Sequence, residues 1–96
     1  MAHEGYHEPV DRLSPQTMDF HRAVVSLIEE LEAVGWYNQR ADARTDPELK
    51  AILAHNRDEE IEHAAMTLEW IRRRNAVFGR ELRETLFKTG PITGQH

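Results

Sequence analysis

The sequence of 96 residues contains no cysteine. This absence excludes a disulfide framework and any metal site built on thiolates. A metal bound by this chain would therefore be held by oxygen and nitrogen ligands, which suit iron, manganese, zinc or calcium.

Long apolar runs are also missing. No stretch approaches the roughly 20 residues that a membrane-spanning helix needs, and the polar start at positions 3–7 is unlike a signal peptide. The net charge of -5, from 12 basic and 17 acidic residues, disfavours nucleic acid and membrane surfaces as partners and is compatible with attracting cations. We therefore expect a cytoplasmic protein that binds neither nucleic acid nor membrane.

The sequence has no strand pattern and predicts two long amphipathic helices instead. Ser14-Pro15 is a typical helix start, and apolar residues then recur at steps of three and four up to about Asp42. Asp46-Pro47 opens a second helix in the same manner, which runs to about Asn75. The residues between, 41–47, read as a turn. The expected unit is an antiparallel helical hairpin.

A shorter third helix is expected from Val77 to about Lys88, ended by Gly90-Pro91. The prediction is thus one all-α domain at 14–89, with a flexible N-terminal segment at 1–13 and a C-terminal tail at 90–96. Two helices alone cannot surround their apolar faces. We therefore expect two hairpins to form a four-helix bundle across a two-fold axis.

One group of residues has the side chains and spacing of a metal site. Glu60 and His63 lie three residues apart, on the same face of the second helix. Glu30 lies as far before the turn as Glu60 lies after it, so the hairpin places it level with that pair. A Glu facing Glu-x-x-His is half of a ferritin-like di-iron ligand set, whose second half must come from a partner. The alternatives are that Glu30 pairs with Arg57 or is simply exposed. Tyr37 lies one heptad from Glu30, within reach of a metal.

Further acidic residues are paired across the same hairpin. Glu29 is level with Glu62, and Glu32 is level with Glu59. His55 shares one face of the second helix with Glu59 and Glu62. Such a stack of carboxylates is either a second metal site, a path that feeds the first site, or a solvated helix face.

Two long runs, residues 28–37 and 54–70, resemble the encapsulated ferritins, as do Leu86-Phe87 and Gly90-Pro91-Ile92. The resemblance covers roughly residues 10–92. It implies a ferritin-like ferroxidase that acts inside an encapsulin nanocompartment and stores iron there. It also implies that each subunit supplies half of a four-helix bundle, that two subunits form the di-iron site, and that dimers assemble into a ring, typically a decamer.

The resemblance also implies roles for individual residues. Glu30, Glu60 and His63 correspond to the ferroxidase ligands, with Tyr37 beside the metals and Trp36 near the dimer interface. The metal-uptake site of the family corresponds to Glu29 and Glu32. A further surface metal site, suited to calcium or zinc, corresponds to His55, Glu59 and Glu62. Four other histidines are assigned no role: His3, His7, His21 and His96.

The sequence departs from the family pattern in two places. Gly35 stands where an acidic residue is expected, which weakens the first helix by about 1 kcal/mol. The printed sequence ends at Gly94-Gln95-His96, without the C-terminal tail that docks such cargo in its shell. Encapsulation is therefore expected from the resemblance alone.

Two other functions fit the residues. One is a metal-free structural helical dimer whose acidic side chains are merely solvated. The other is a manganese- or zinc-binding ferritin-like redox protein, because carboxylate and imidazole ligands accept several metals. Metal analysis of the purified protein distinguishes these alternatives from a di-iron ferroxidase.

Overall fold

A computed structural model describes residues 5–94 of the chain. His3, His96 and the outer ends of the two predicted flexible segments lie outside the described residues. Within 5–94 the chain forms a short 3-10 helix at Val10–Arg12 and three α-helices, α1 (Pro15–Ala43), α2 (Pro47–Arg74) and α3 (Ala76–Thr85). This part of the chain contains no strand. The predicted all-α fold is confirmed.

Both long helices begin where the sequence predicted. The Ser14 hydroxyl accepts a hydrogen bond from the Thr17 N–H at 3.1 Å, and an Asp46 carboxylate oxygen accepts one from the Leu49 N–H at 2.7 Å. Each cap satisfies a backbone donor that the first helical turn leaves without a partner. The turn between the helices is three residues long, 44–46. The α1 helix runs through Gly35 without interruption.

The third helix is shorter than predicted. It ends at Thr85, not at about Lys88, because Leu86 turns to an extended conformation and its N–H bonds back to the Leu82 carbonyl. Phe87 then adopts a positive φ of 59°. The chain leaves the helix through a left-handed residue, the usual ending of a helix, although that residue is here an aromatic instead of a glycine. Gly90-Pro91 therefore lies beyond the end of the helix.

The N-terminal segment makes its own contact with α1. The ring of Tyr6 lies 5.2 Å from that of His21, measured between ring centroids. Together with the 3-10 helix at Val10–Arg12, this contact places part of the predicted flexible segment against the hairpin. The α3 helix packs on α2, and the ring of Phe78 lies 6.3 Å from that of Phe20 in α1.

The hairpin buries little of its apolar surface. Only four hydrophobic residues among 5–94 are buried, and of these only Ile71 is fully so: Val25, Ala41, Ala64 and Ile71. The chain exposes 7713 Å², against about 5,700 Å² for a compact monomer of its mass. Its radius of gyration is 17.2 Å, against about 12.5 Å for a compact chain of this length. The excess, about 2,000 Å², is of the size that a large protein interface buries.

None of the helices within residues 5–94 is long and apolar enough to cross a membrane.

Candidate metal site

The contacts between α1 and α2 define which residues of the two helices lie side by side. Near the turn, the Lys50 ammonium donates a hydrogen bond to the Ala41 carbonyl at 2.9 Å. These two residues stand five after and four before position 45. Glu30 stands fifteen before that position and Glu60 fifteen after it, so each is about 22 Å from the turn at 1.5 Å per residue. Glu30 and Glu60 therefore lie at the same level of the hairpin.

Within α2, the structure brings Glu60 and His63 together. A carboxylate oxygen of Glu60 lies 3.3 Å from Nδ1 of His63. The two side chains keep 27% and 47% of their surfaces exposed, respectively. An oxygen ligand and an imidazole thus stand on one face of α2, both open to a second molecule.

Glu30 differs from the other carboxylates of residues 5–94. One of its side-chain oxygens is buried and has no hydrogen-bond partner within the part of the chain that the structure describes. A carboxylate removed from water without a partner costs free energy unless it is paired or bound to a metal. Arg57, the suggested ion-pair partner, instead contacts Asn38 and Asp58, each at 3.0 Å. Glu30 therefore keeps a free acceptor at the level of Glu60 and His63.

A single chain does not complete the predicted site. Among residues 5–94, no three side chains of His, Asp or Glu are gathered closely enough to hold a metal ion. The structure brings Glu60 and His63 together, but it does not add Glu30 to them as a three-ligand group. The axes of two packed helices lie about 8–10 Å apart, so side chains of one level need not touch each other without a metal between them.

Two neighbouring aromatic residues of α1 differ in exposure, since Tyr37 is partly buried and Trp36 is exposed. The guanidinium of Arg40 stands 5.5 Å from the centre of the Tyr37 ring, a cation–π distance. Trp36 is 55% exposed and lines a surface depression of about 330 Å³ with Gln39 and Arg40. A large indole left in water is consistent with a partner contact at this position.

The secondary acidic residues are present but dispersed. His55 and Glu59 approach to 3.6 Å on the exposed side of α2. Glu62 lines a groove on the same helix with Met66 and Trp70. Glu29 and Glu32 are exposed on α1. None of these belongs to a ready metal-binding group in residues 5–94, so their roles remain predictions.

One electrostatic cluster was missed by the sequence analysis. Both oxygens of Glu69 accept hydrogen bonds from Arg72, at 2.6 and 2.7 Å, and one also accepts from Arg73 at 2.7 Å. These hydrogen bonds, the one from Arg72 foremost, lower the pKa of Glu69 to about 2. The same contact raises the pKa of Arg72. The spacing of three and four residues along α2 was the signal that would have revealed the cluster.

A second residue outside the predicted set is His21, whose Nε2 is buried without a hydrogen-bond partner in the described part of the chain. It lines a cavity of about 380 Å³ with Tyr6 and Glu29. No periodicity or spacing in the sequence indicated this contact, because the Tyr6 segment lies outside the helices.

Comparison with known proteins gives a consistent result. The chain matches the EncFtn-like family over residues 5–89. It is 66% identical over 87 residues to a Rhodospirillum rubrum protein named "Encapsulated ferritin-like protein", a match that covers 91% of this chain and 62% of that relative. The chain thus spans less than two thirds of the length of that relative.

Two further relatives and one solved structure agree. The chain is 53% identical over 90 residues to a "Ferritin-like protein" of Thermotoga maritima, covering 94% of this chain and 79% of the relative. It is 33% identical over 93 residues to the "Encapsulin nanocompartment cargo protein EncC" of Myxococcus xanthus, covering 82% and 72%. The crystal structure of a Nitrosomonas europaea protein matches with a TM-score of 0.87 and 64% identity, covering 92% of this chain and 97% of that one.

Proposed function

The chain belongs to the EncFtn-like family, and from that premise we propose that two copies of it bind and oxidise Fe(II) at a di-iron site shared between them. Each copy would contribute Glu30, Glu60 and His63. The observation that carries the proposal is the buried oxygen of Glu30, which has no partner among residues 5–94 and lies level with the contact between Glu60 and His63. Iron is the substrate of this reaction.

The ligands suit the chemistry. Carboxylate oxygens with one imidazole for each iron bind Fe(II) and stabilise Fe(III). In this arrangement the Glu60 carboxylates would be shared by the two irons, and Glu30 and His63 would each hold one iron. The two Fe(II) ions would together give up two electrons, which with two protons would reduce one dioxygen to hydrogen peroxide or one hydrogen peroxide to two waters. The Tyr37 hydroxyl would stand beside the metals, and the product would be ferric iron for mineralisation.

Two features of the single chain support the need for two copies. The described residues of one chain do not gather three ligands, and the chain exposes about 2,000 Å² more than a compact monomer would. A second hairpin on the open apolar face would bury that surface and bring two half-sets of ligands together. Further association of dimers into a ring, expected to be a decamer, belongs to the same proposal.

Metal analysis tests the proposal. Fe(II) added in air to purified dimer should be oxidised, with about one iron bound per chain, since two copies share two irons. Oxidation is followed by absorbance and iron content by plasma mass spectrometry. A dimer that takes up no metal would instead be a structural dimer, and one that binds only manganese or zinc would be a different redox protein. Either result contradicts the ferroxidase proposal.

We further propose that this protein is cargo of an encapsulin shell. The support is the likeness to proteins whose names describe encapsulation. The protein, co-expressed with the shell protein of its own genome, should resist an added protease that degrades it when expressed alone. Equal degradation with and without the shell would contradict this partner.

A further inference from the structure

Arg57 is the cation closest along the chain to the proposed ligands, and the structure turns it away from them. Its Nη1 donates a hydrogen bond to Asn38 Oδ1 at 3.0 Å, and its Nε donates one to Asp58 Oδ1 at the same distance. Its side chain is 29% exposed. Within residues 5–94, the contact with Asn38 is the one hydrogen bond between side chains that joins α1 to α2.

Polar side chains lie on both sides of the level of Arg57 on the hairpin, toward the turn and away from it. Arg57 lies twelve residues after position 45, so Ala33 is its counterpart on α1. Asn38 lies five residues from that level on the turn side, and Glu30 lies three residues from it on the other side. At 1.5 Å per residue these offsets are about 7.5 and 4.5 Å. The guanidinium therefore contacts the residue with the larger offset along the helix axis.

Two carboxylates lie farther from the turn than Arg57 does. Glu60 lies one turn along α2 from Arg57, on the same face of the helix. Glu30 has a buried oxygen without a partner in the described chain. A guanidinium carries its charge at every physiological pH, and its paired N–H groups match a carboxylate. Left free, Arg57 would bind these carboxylates and compete with iron for their oxygens.

We propose that Asn38 and Asp58 are positioning residues that hold the Arg57 guanidinium away from Glu30 and Glu60, so that the protein's own cation does not occupy the place of the metal. This inference rests on the proposed function. Neither residue touches the metal, and each acts through Arg57. On α1, Asn38 accepts one hydrogen bond from the guanidinium. On α2, the charged Asp58 accepts another, and it lies on the opposite face of the helix from Glu60.

The test is anaerobic titration of the intact dimer with Fe(II), followed by calorimetry, with the dimer fraction checked by native mass spectrometry. Asn38→Ala should weaken Fe(II) binding, and Asn38→Ala with Asp58→Asn should weaken it further. A loss of roughly three- to fivefold is expected, the size of one exposed ion pair. Adding Arg57→Ala to either variant should restore the affinity to within about twofold of the wild type, a ratio near the lower limit of a single weak interaction.

Restoration by a second truncation separates this role from a purely structural one. If the contact between Arg57 and Asn38 merely held the helices together, Arg57→Ala would weaken binding as much as Asn38→Ala does, and the double variant would not recover. That pattern would overturn the inference. Asp19→Asn removes another acidic partner of an arginine, Arg22, at 3.1 Å, and should leave the affinity unchanged. A wild-type dimer that binds no Fe(II) would overturn the proposed function itself.

Discussion

Gly79 of α3 lies against Arg72 of α2 so closely that a Cβ atom on Gly79 would stand 3.2 Å from the Arg72 carbonyl oxygen. Gly35 in α1 has no neighbour within 4 Å of the corresponding position among residues 5–94. Both glycines are inside helices, where alanine is favoured by roughly 0.5–1 kcal/mol. The two positions therefore differ in the room available for a side chain, whereas the helical backbone favours alanine equally at both.

Alanine at the two glycines should consequently have different effects. Gly35→Ala should raise the free energy of unfolding by roughly 0.5–1 kcal/mol, because nothing in the chain opposes the added methyl group. Gly79→Ala should gain less or lose stability, since the Arg72 carbonyl belongs to the backbone of α2. Urea unfolding of both variants measures the difference. An equal gain at both positions would show that α3 does not pack on α2 as described.

The carboxylate of Glu69 predicts a specific pH dependence. Hydrogen bonds from Arg72 and Arg73 lower its pKa from an ordinary 4.5 to about 2. A depressed pKa contributes stability above the pKa of the unfolded chain, and this contribution is lost as the pH falls from 4.5 to about 2.

Glu69→Gln should remove that dependence. Between pH 4.5 and 2 the wild type should lose stability more steeply than the variant, and added salt should narrow the difference because the cluster is exposed. Thermal unfolding at several pH values provides the comparison. A Glu69 carboxyl that titrates near pH 4.5 in an NMR experiment would rule out the contact with the two arginines.

The sequence predicted a feature of the fold best where that feature depends on residues close together along the chain. The starts of α1 and α2 were predicted correctly because Ser14 and Asp46 cap helices through contacts three residues away. The end of α3 was predicted too late, because the break at Leu86 and Phe87 has no local signal as clear as glycine or proline. A helix cap can be recognised in the sequence, whereas the positive φ of an exposed aromatic residue cannot.

The candidate site shows the same limit. The spacing of Glu60 and His63 predicted their contact, since one helix sets it. The isolation of the Glu30 oxygen and the turning of Arg57 toward Asn38 depend on two helices packed together. Pairing by level along the hairpin placed the residues at the same height, but it did not say which side chains meet.

Removal of Glu30 should separate metal binding from stability. Glu30→Gln should reduce Fe(II) binding severely, because it replaces a charged ligand with a neutral amide. The metal-free protein should be as stable as the wild type or more so, since a buried carboxylate oxygen without a partner contributes nothing that the amide loses. Urea unfolding in the presence of a chelator checks this. A loss above about 1 kcal/mol would indicate that Glu30 is already paired in the metal-free chain.

Truncation of the other two ligands should have a similar effect on binding. Glu60→Ala and His63→Ala should each abolish ordered di-iron binding, because the ligands act as a unit. Helical content by circular dichroism should be retained, as both side chains are partly exposed. Iron oxidation near the wild-type rate in Glu60→Ala would argue most strongly against a bridging role for that carboxylate.

The outer acidic residues are expected to affect the rate of iron uptake, not the site itself. Glu32→Ala and Glu59→Ala should slow Fe(II) oxidation at low salt, because exposed negative charge concentrates cations locally. At high salt the wild type should slow toward the variants, since screening removes the attraction. Stopped-flow absorbance at two salt concentrations measures this. The same salt dependence in all three proteins would identify these residues as a solvated helix face.

Whether two chains share the site is best tested by the rate of Fe(II) oxidation per chain across the monomer–dimer equilibrium. Analytical ultracentrifugation gives the fraction of dimer at each protein concentration, and stopped-flow absorbance gives the rate. A shared site requires a rate per chain that rises in proportion to the dimer fraction and vanishes in the monomer. A verified monomer that oxidises Fe(II) at the same rate per chain as the dimer would contradict it.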